Sequence, residues 1–564
     1  MTPKLRLLRL AVCALSLTFV CFAIIGGFHG YSPVPFWDMW GATLDFYRRF
    51  ESDPIRSLFG LHNEHRIVLS RFLFLIDEYA FGGNSAFLVI CNYVFAGLIW
   101  ATFVRCLFRL NPTHTPRNDL WLLAAILAAW LFLWAQRVNF TWAFQSQFFL
   151  AQLLPLWAFL SLGAAMNKSC VWNRSFGSAL VLGCLSTLSM ANGLFVLPLM
   201  AAGAIVFRMR WSQVAVIAIC ACITAGLYLS DYRSPSTHGS VIGSLLNDPL
   251  GVLHYTLSYL GNFGIHIAGP FTAVQWLSKL GGLLLLGIAI LLTLLTLRKR
   301  NTEPVHAGLI LFLIFIVAGA FLTAAGRLPF GILSAFSSRY TTPVLMAWAA
   351  IFCLASPTLL RAFSQGRREQ YGLLIAAISG LSLLLVSQSF ALIPKHDLNH
   401  QKAVAVLALE LGVGDADMVS LIHPNTERAL RIAKSASQDD HGLFGRAEYA
   451  GLREIIGRSL DPPSDRSCSG RLEHLQTVEG EAEYIRLIGW QHATRATTKI
   501  SRLLILDSSG RVIGAALLGR PSPYLMEAFG RSGARAGFTG YVRADGLDQP
   551  LTVISEACQW KDQL

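Results

Sequence analysis

The chain has 564 residues, of which only 14% are charged and 54% are hydrophobic. A typical soluble domain carries about 25% charged residues, so neither a disordered chain nor an ordinary soluble enzyme fits this composition. The net charge is +13, but all of that excess lies before Lys395, and the tail from there on is close to neutral. A basic membrane part with a neutral tail speaks against a nucleic-acid partner. It suits positive loops on one side of a membrane, with cationic groups to spare for a phosphate.

Crossing a bilayer as a helix takes about 20 apolar residues. Runs near that length recur down to residue 392, and predict eleven spans at 7–27, 85–104, 119–135, 148–166, 176–191, 193–207, 212–230, 280–297, 306–325, 343–360 and 371–392. The first follows Lys4, Arg6 and Arg9. It is longer than a signal-peptide core and no small-residue cleavage site follows, so it reads as a retained helix. With the N-terminus inside, the cytoplasmic loops carry Arg105, Arg109 and Arg117, then Lys168 and Arg174, Arg208 and Arg210, Arg298 to Arg300, and Arg361, Arg367 and Arg368. That alternation follows the positive-inside rule, and an odd number of spans puts the tail outside.

The first outside segment, residues 28–84, is too long and too rich in charged, aromatic and His residues for a plain connector. Trp37, Trp40, Leu44 and Tyr47 recur at spacings of three and four, the apolar stripe of a short interfacial helix. A second apolar stretch, Ile67 to Ile76, is too short to span and is broken by Ser70 and Arg71. The sequence thus divides into a membrane part over 1–393, a mixed helical connector over 394–470, and an extracytoplasmic region over 471–564. In the last, alternating runs at Tyr484–Leu487, Ile500–Leu506, Val512–Leu518, Gly537–Val542 and Leu551–Ile554 predict a small β-sandwich.

Nine of the eleven Cys lie in or beside the spans and read as small apolar fillers. Cys468 and Cys558 bracket the β region. In an oxidising compartment they are expected to form a disulfide.

Four patches could carry chemistry. In Phe36-Trp37-Asp38-Met39-Trp40, the aromatics would desolvate the Asp38 carboxylate and sharpen it as a proton acceptor. The same residues also suit a Trp belt with a helix-capping Asp. In Leu61-His62-Asn63-Glu64-His65-Arg66, the residues His62, Glu64 and His65 could contact sugar hydroxyls or phosphate, ligate a divalent metal, or form only a polar turn. From Gln136 to Gln147, Arg137, Asn139 and Gln145 interleave with aromatics. A sugar site uses that mixture, and so does an interfacial belt. Finally, Arg327, Arg339 and Tyr340 flank two late spans. Arg can grip a lipid phosphate with paired hydrogen bonds, or merely snorkel to headgroups.

The long first outside loop, an acid soon after the first helix, two short helices and about eleven spans resemble the GT-C superfamily over residues 1–392. These are polytopic glycosyltransferases that use polyprenyl- or dolichyl-phosphate sugars. The resemblance implies a polyprenyl-phosphate sugar donor, an extracytoplasmic glycan, glycolipid or protein acceptor, and a bacterial inner-membrane location. It also implies that Asp38 is the general base. The motif here, Trp-Asp-Met-Trp, has one acid where the family has a pair, which leaves a divalent metal open, with Asp38, His62 and His65 as candidate ligands. In the tail, Ile488-Gly489-Trp490, Val512-Ile513-Gly514 and Gly537-Phe538-Thr539-Gly540-Tyr541 are similar to a β-sandwich appended to some bacterial surface-polysaccharide enzymes. Two other classes remain: a transporter or flippase of lipid-linked sugars, and an O-antigen ligase or polymerase. Internal repeats and mid-membrane charges would mark the former. A large late loop would mark the latter.

The orientation is testable with reporter fusions. An enzyme active only outside the cytoplasm should work when joined after Lys395 and fail when joined at Arg208. The reverse pattern would invert the assigned topology.

Overall fold

The computed structural model describes residues 2–166, 170, 172–232, 240–299, 302–460, 467–492, 501–547, 550–556 and 558–562. The loop residues Lys168 and Arg300, and the first residue of the strand expected at 500–506, lie outside the described residues. The chain divides into two compact units that are not contiguous in sequence. The first comprises residues 1–31, 59–70 and 88–393, and the second 32–58, 71–87 and 394–564. The segment 28–84 is therefore shared between the two units.

In the first unit, nine helices among the described residues are long and apolar enough to cross a membrane. They are Pro3–Gly30, Ala86–Leu110, Arg117–Thr141, Ala143–Met166, Trp211–Leu229, Thr272–Leu297, Pro304–Phe330, Ser338–Gln365 and Arg367–Leu392. They coincide in order with nine of the eleven expected spans. The other two correct the expectation. The helices there, Arg174–Ser186 and Val196–Val206, have only 13 and 11 residues, too few to cross alone. Gly193 lets the chain between them fold back tightly, since a Cβ there would lie 1.9 Å from the Ser186 carbonyl oxygen. Together their helical residues amount to about one span rather than two.

Leu277, Leu280, Leu284, Leu291 and Leu294 are all exposed along Thr272–Leu297. So large an apolar surface needs an apolar surrounding. Ala143–Met166 and Pro304–Phe330 are instead mostly buried. They approach closely because small residues line the contact. A Cβ on Gly163 would fall 2.1 Å from the Pro304 carbonyl oxygen, and one on Gly308 would fall 2.9 Å from the Leu160 Cα.

One span is broken. The helix from Arg117 ends at Leu131, a short turn covers Trp134–Gln136, and Arg137–Thr141 resumes as a helix. A break in an apolar surrounding strands backbone polar groups that water cannot reach. Gln388 satisfies two of them. Its amide nitrogen donates to the Phe132 carbonyl at 3.1 Å, and its oxygen accepts from the Trp134 N–H at 2.8 Å. The same nitrogen reaches the Phe19 carbonyl at 2.8 Å, so three spans meet on one side chain. On the other side of the break, the Ser338 hydroxyl donates to the Ala135 carbonyl at 2.8 Å, and the Thr342 hydroxyl donates to Gln136 Oε1.

In the second unit, the expected aromatic stripe faces protein rather than a membrane surface. A π-helical turn, Trp40–Leu44, runs into the helix Asp45–Ser52. Trp40, Leu44 and Tyr47 are buried, while Trp37 is exposed. The Trp40 ring meets His423 and Phe444 edge-on, and its indole N–H donates to the Pro35 carbonyl at 2.9 Å. In the tail, the helix His396–Leu411 is buried without interruption from Ala403 to Leu411. The connector is tied to the strands by Asp415, whose Oδ2 accepts from Arg486 Nε at 2.9 Å and from the Tyr541 hydroxyl at 2.6 Å.

The strands form one antiparallel sheet of seven, in the order β1-β2-β5-β4-β3-β6-β7. They are β1 Ser469–Thr477, β2 Tyr484–His492, β3 Ser501–Leu506, β4 Val512–Arg520, β5 Gly537–Arg543, β6 Leu551–Ile554 and β7 Gln559–Asp562. This differs from the sandwich that the spacing suggests. β1 and β7 are polar and short of alternation, so pattern alone misses them. They also join the two edges of the sheet. The Cys468 N–H donates to the Gln559 carbonyl at 3.0 Å, the Leu472 N–H donates to Asp562 Oδ2 at 2.7 Å, and Cys468 is bonded to Cys558. Edge strands closed in this way expose few unpaired groups. The buried tryptophan of this sheet is Trp560, which donates to Gln491 Oε1 at 3.0 Å, whereas Trp490 is only half-buried.

The close helix contact makes a stability prediction. Gly163→Ala forces a methyl onto a backbone carbonyl and should cost about 1–3 kcal/mol, read as a lower unfolding temperature in detergent. Gly319→Ala, where nothing lies within 4 Å of the new Cβ, should be neutral or slightly stabilising.

Candidate functional site

The histidine-rich loop of the first unit is a tight hairpin. His62 and His65 exchange backbone hydrogen bonds at 2.8 and 2.9 Å. Asn63 takes a left-handed conformation (φ 51°) at its tip, a position asparagine tolerates better than most residues. The turn presents Glu64, whose Oε1 accepts from Arg327 at 2.7 Å and lies 3.4 Å from His65 Nε2. His65 Nδ1 accepts from the Ala191 N–H at 3.3 Å. That leaves its proton on Nε2, directed at Glu64. The His62 ring lies edge-on to Phe144 at 5.3 Å. Arg66 anchors the hairpin. It donates to the Tyr228 carbonyl at 2.8 Å, lies over the Tyr228 ring, and pairs with Asp231. The Tyr228 hydroxyl returns a hydrogen bond to the Glu64 carbonyl at 2.8 Å.

Of the late arginines, Arg327 reaches this hairpin through Glu64. Arg327 ends the helix Pro304–Arg327, and Arg339 lies just before Thr341–Gln365. The fields of both guanidinium groups reach the phenol of Tyr255, which is hydrogen-bonded to Ser334 at 3.0 Å. Arg339 lies over the Tyr340 ring, and Tyr340 stacks on Tyr259 at 4.8 Å. Asn139 is fully buried and positions this segment, donating to the Arg339 carbonyl at 3.0 Å and to the Thr342 hydroxyl at 2.6 Å. Arg137 sits 3.5 Å from His266 Nδ1. Gln145 is fully buried, and neither atom of its amide has a hydrogen-bond partner among the described residues. The first unit thus links Glu64, His65 and Arg327 directly, while the His62 ring meets Phe144 and Arg339 packs over Tyr340. Tyr228, Tyr255, Tyr259 and His266 were not singled out from sequence. Tyr255 and Tyr259 sit four apart on a helix opened by Asp248-Pro249, a start signal in a stretch where the hydropathy pattern assigns no span.

Asp38 belongs to the second unit. It is half-buried, and its backbone carbonyl accepts from the Ala42 N–H at 2.9 Å as the π-helical turn begins. The preceding Trp37 has φ 51°. A bulky side chain in the left-handed region is strained, and such strain accompanies functional sites. Exposure of Trp37 corrects the expectation that both tryptophans shield the carboxylate. Only Trp40 is buried. The Asp38 charge acts on His423, whose pKa is nonetheless lowered, mainly by burial and by Arg428. Asp45, on the next turn, lies 3.3 Å from Arg49.

A second polar cluster in this unit involves none of the expected site residues. His441 is buried and lies 3.2 Å from Glu78 Oε1 and 3.6 Å from Glu51 Oε1. Its pKa is raised, chiefly by the hydrogen bond to Glu78. Nearby in sequence, burial lifts the Asp77 carboxyl to about 6. Among the described residues, no group of three or more His, Cys, Asp or Glu side chains is arranged to hold a metal ion.

Comparison of the chain with family models, with curated proteins and with solved structures finds no match.

The His441 pair predicts a pH dependence. A histidine whose folded pKa is raised adds stability that is complete below its unfolded pKa, about 6.5, and is lost as pH rises through the folded pKa. His441→Gln should therefore destabilise the chain more at pH 6 than at pH 8.5, measured by thermal unfolding. An equal effect at both pH values would remove the charged pair.

Proposed function

We propose that this chain is a membrane glycosyltransferase that moves a sugar from a polyprenyl-phosphate donor to an acceptor outside the plasma membrane of a bacterium. The observation that carries this reading is the Arg327–Glu64 pair with His65 at the end of a long apolar helix, with Arg339 just before the start of another. Fixed cations beside an apolar surface suit an amphipathic phosphate ester with an isoprenoid tail. Two guanidinium groups would also stabilise the phosphate as the sugar departs.

Asp38 is the proposed general base. Glu64 is engaged by Arg327 and His65, and Asp45 by Arg49. The acceptor hydroxyl would lose its proton to the base and attack the anomeric carbon with inversion, the electron pair of the broken bond passing to the lipid phosphate; within the first unit, Arg327 and Arg339 are the proposed phosphate ligands. Nine full-length spans with a folded-back helix pair keep the parity of eleven. An N-terminus inside and a tail outside remain the proposed topology.

A transporter of lipid-linked sugars is the second reading. The cations at helix ends, rather than at mid-span, favour the transferase.

The test is transfer from a panel of radiolabelled polyprenyl-phosphate sugars by membranes carrying the chain. Asp38→Asn should lower transfer at least ~100-fold, the scale of general base catalysis. Arg339→Ala should lower it by a similar factor, and Arg339→Lys should not restore it. A full rate in Asp38→Asn would move the base elsewhere. Movement of labelled donor across vesicles without transfer would favour the transporter.

A further inference from the structure

A cavity of about 390 Å³ lies wholly within the second unit. It contains none of the residues assigned above to transfer. One wall is a single face of the helix His396–Leu411. His396, Asn399, His400 and Ala403 recur at spacings of three and four, which stacks their side chains on one stripe. Facing them are Arg446 with Glu448, and Arg535.

His400 is the unusual member. It is 2% exposed, and neither ring nitrogen has a hydrogen-bond partner among the described residues. A buried polar group without a partner costs about 1–3 kcal/mol, and folded proteins rarely leave one without a reason. Burial and the charges of Arg520 and Arg535 press its pKa down to about 4. At neutral pH the ring is therefore uncharged, with one N–H to donate and one nitrogen to accept.

The charges around it favour one kind of guest. Two guanidinium groups against one carboxylate leave the cavity net positive. Arg446 donates from one nitrogen to Glu448, at 3.0 Å. Arg535 contributes to the positive potential felt at His400. The remaining wall includes Val34 and Leu443, apolar surface fit for the C–H face of a ring. The volume lies at the small end of ligand pockets, which run from about 300 to 1,000 Å³.

We propose that this cavity is a binding site for a monosaccharide-sized ligand bearing an oxyanion, held by Arg535 and Arg446 through the anion and by His400 through a hydroxyl. The site stands independently of the transfer reaction, and its failure would leave that reading untouched. The oxyanion is the shared chemistry of a uronate and of a sugar phosphate, and the probes below separate these two.

The measurement is calorimetric titration of the full chain in detergent with glucuronate, glucose 6-phosphate, glucose and inorganic phosphate. One of the two charged sugars should bind at least ~10-fold more tightly than glucose and than inorganic phosphate, and which one wins identifies the anion. Arg535→Gln and His400→Phe should each weaken that binding ~10-fold or more. Because these variants sit near a buried wall, a gain-of-affinity variant guards against misfolding. Glu448→Gln removes the competing carboxylate and should tighten binding several-fold. Equal binding of glucose and the charged sugars, equal binding of inorganic phosphate and sugar phosphate, no binding at all, or weaker binding in Glu448→Gln would each overturn the proposal.

Discussion

Backbone hydrogen bonding inside an apolar surrounding is the constraint on which the first unit depends. Once the helix from Arg117 breaks after Leu131, its stranded groups have no water to turn to. Gln388, Ser338 and Thr342 supply the partners. Each of these comes from a distant span, so local repair becomes long-range architecture. Because Ser338 and Thr342 bracket Arg339 and Tyr340, the repair also decides where those side chains sit. Asn139, just past the break, completes the link by holding the Arg339 carbonyl. The segment carrying Arg339 is thus held by amides and hydroxyls whose alternatives are all costly.

The polar loop of the first unit follows the same logic. The hairpin at His62–His65 is short, but it is fastened by Tyr228, Ala191 and Arg327. Charged side chains here are paired or stacked on rings, as expected where water is scarce. Pairing restrains Glu64 and Arg327 in one geometry, the preorganisation that electrostatic stabilisation of a leaving group requires.

The second unit shows a different solution. Its loop residues are not left on a membrane surface. Trp40, Leu44 and Tyr47 are buried with residues of the tail, and Tyr47 lies against His441, which is in turn paired with Glu78. The sheet closes its own edges through β1, β7 and the Cys468–Cys558 bond. A small sheet gains two things from this: fewer unpaired strand edges, and a covalent link across a chain separation of 90 residues.

Much of the fold was legible in the sequence because hydropathy over about 20 residues reports a one-dimensional property, the length of chain an apolar layer can hold. Nine spans, the polar tail and five of seven strands follow from that and from alternation. The helix pair at 174–206 misleads because its residues are apolar enough for two spans, while the α-helix stops at Ser186 and resumes only at Val196. β1 and β7 escape because their residues, such as Arg471, Glu473 and Lys561, are made strand-like by pairing rather than by pattern. The candidate residues were legible as types: Glu64, Arg327 and Arg339 are conspicuous charges beside apolar runs. Their partners were not. That Glu64 meets Arg327 across 263 positions, that Asn139 serves the Arg339 backbone, and that His400 is buried beside Arg535 are decided by packing. Composition determines which solvent a segment prefers, a sum over neighbours in the chain. Only the tertiary structure decides which charges share a site, because that depends on neighbours in space.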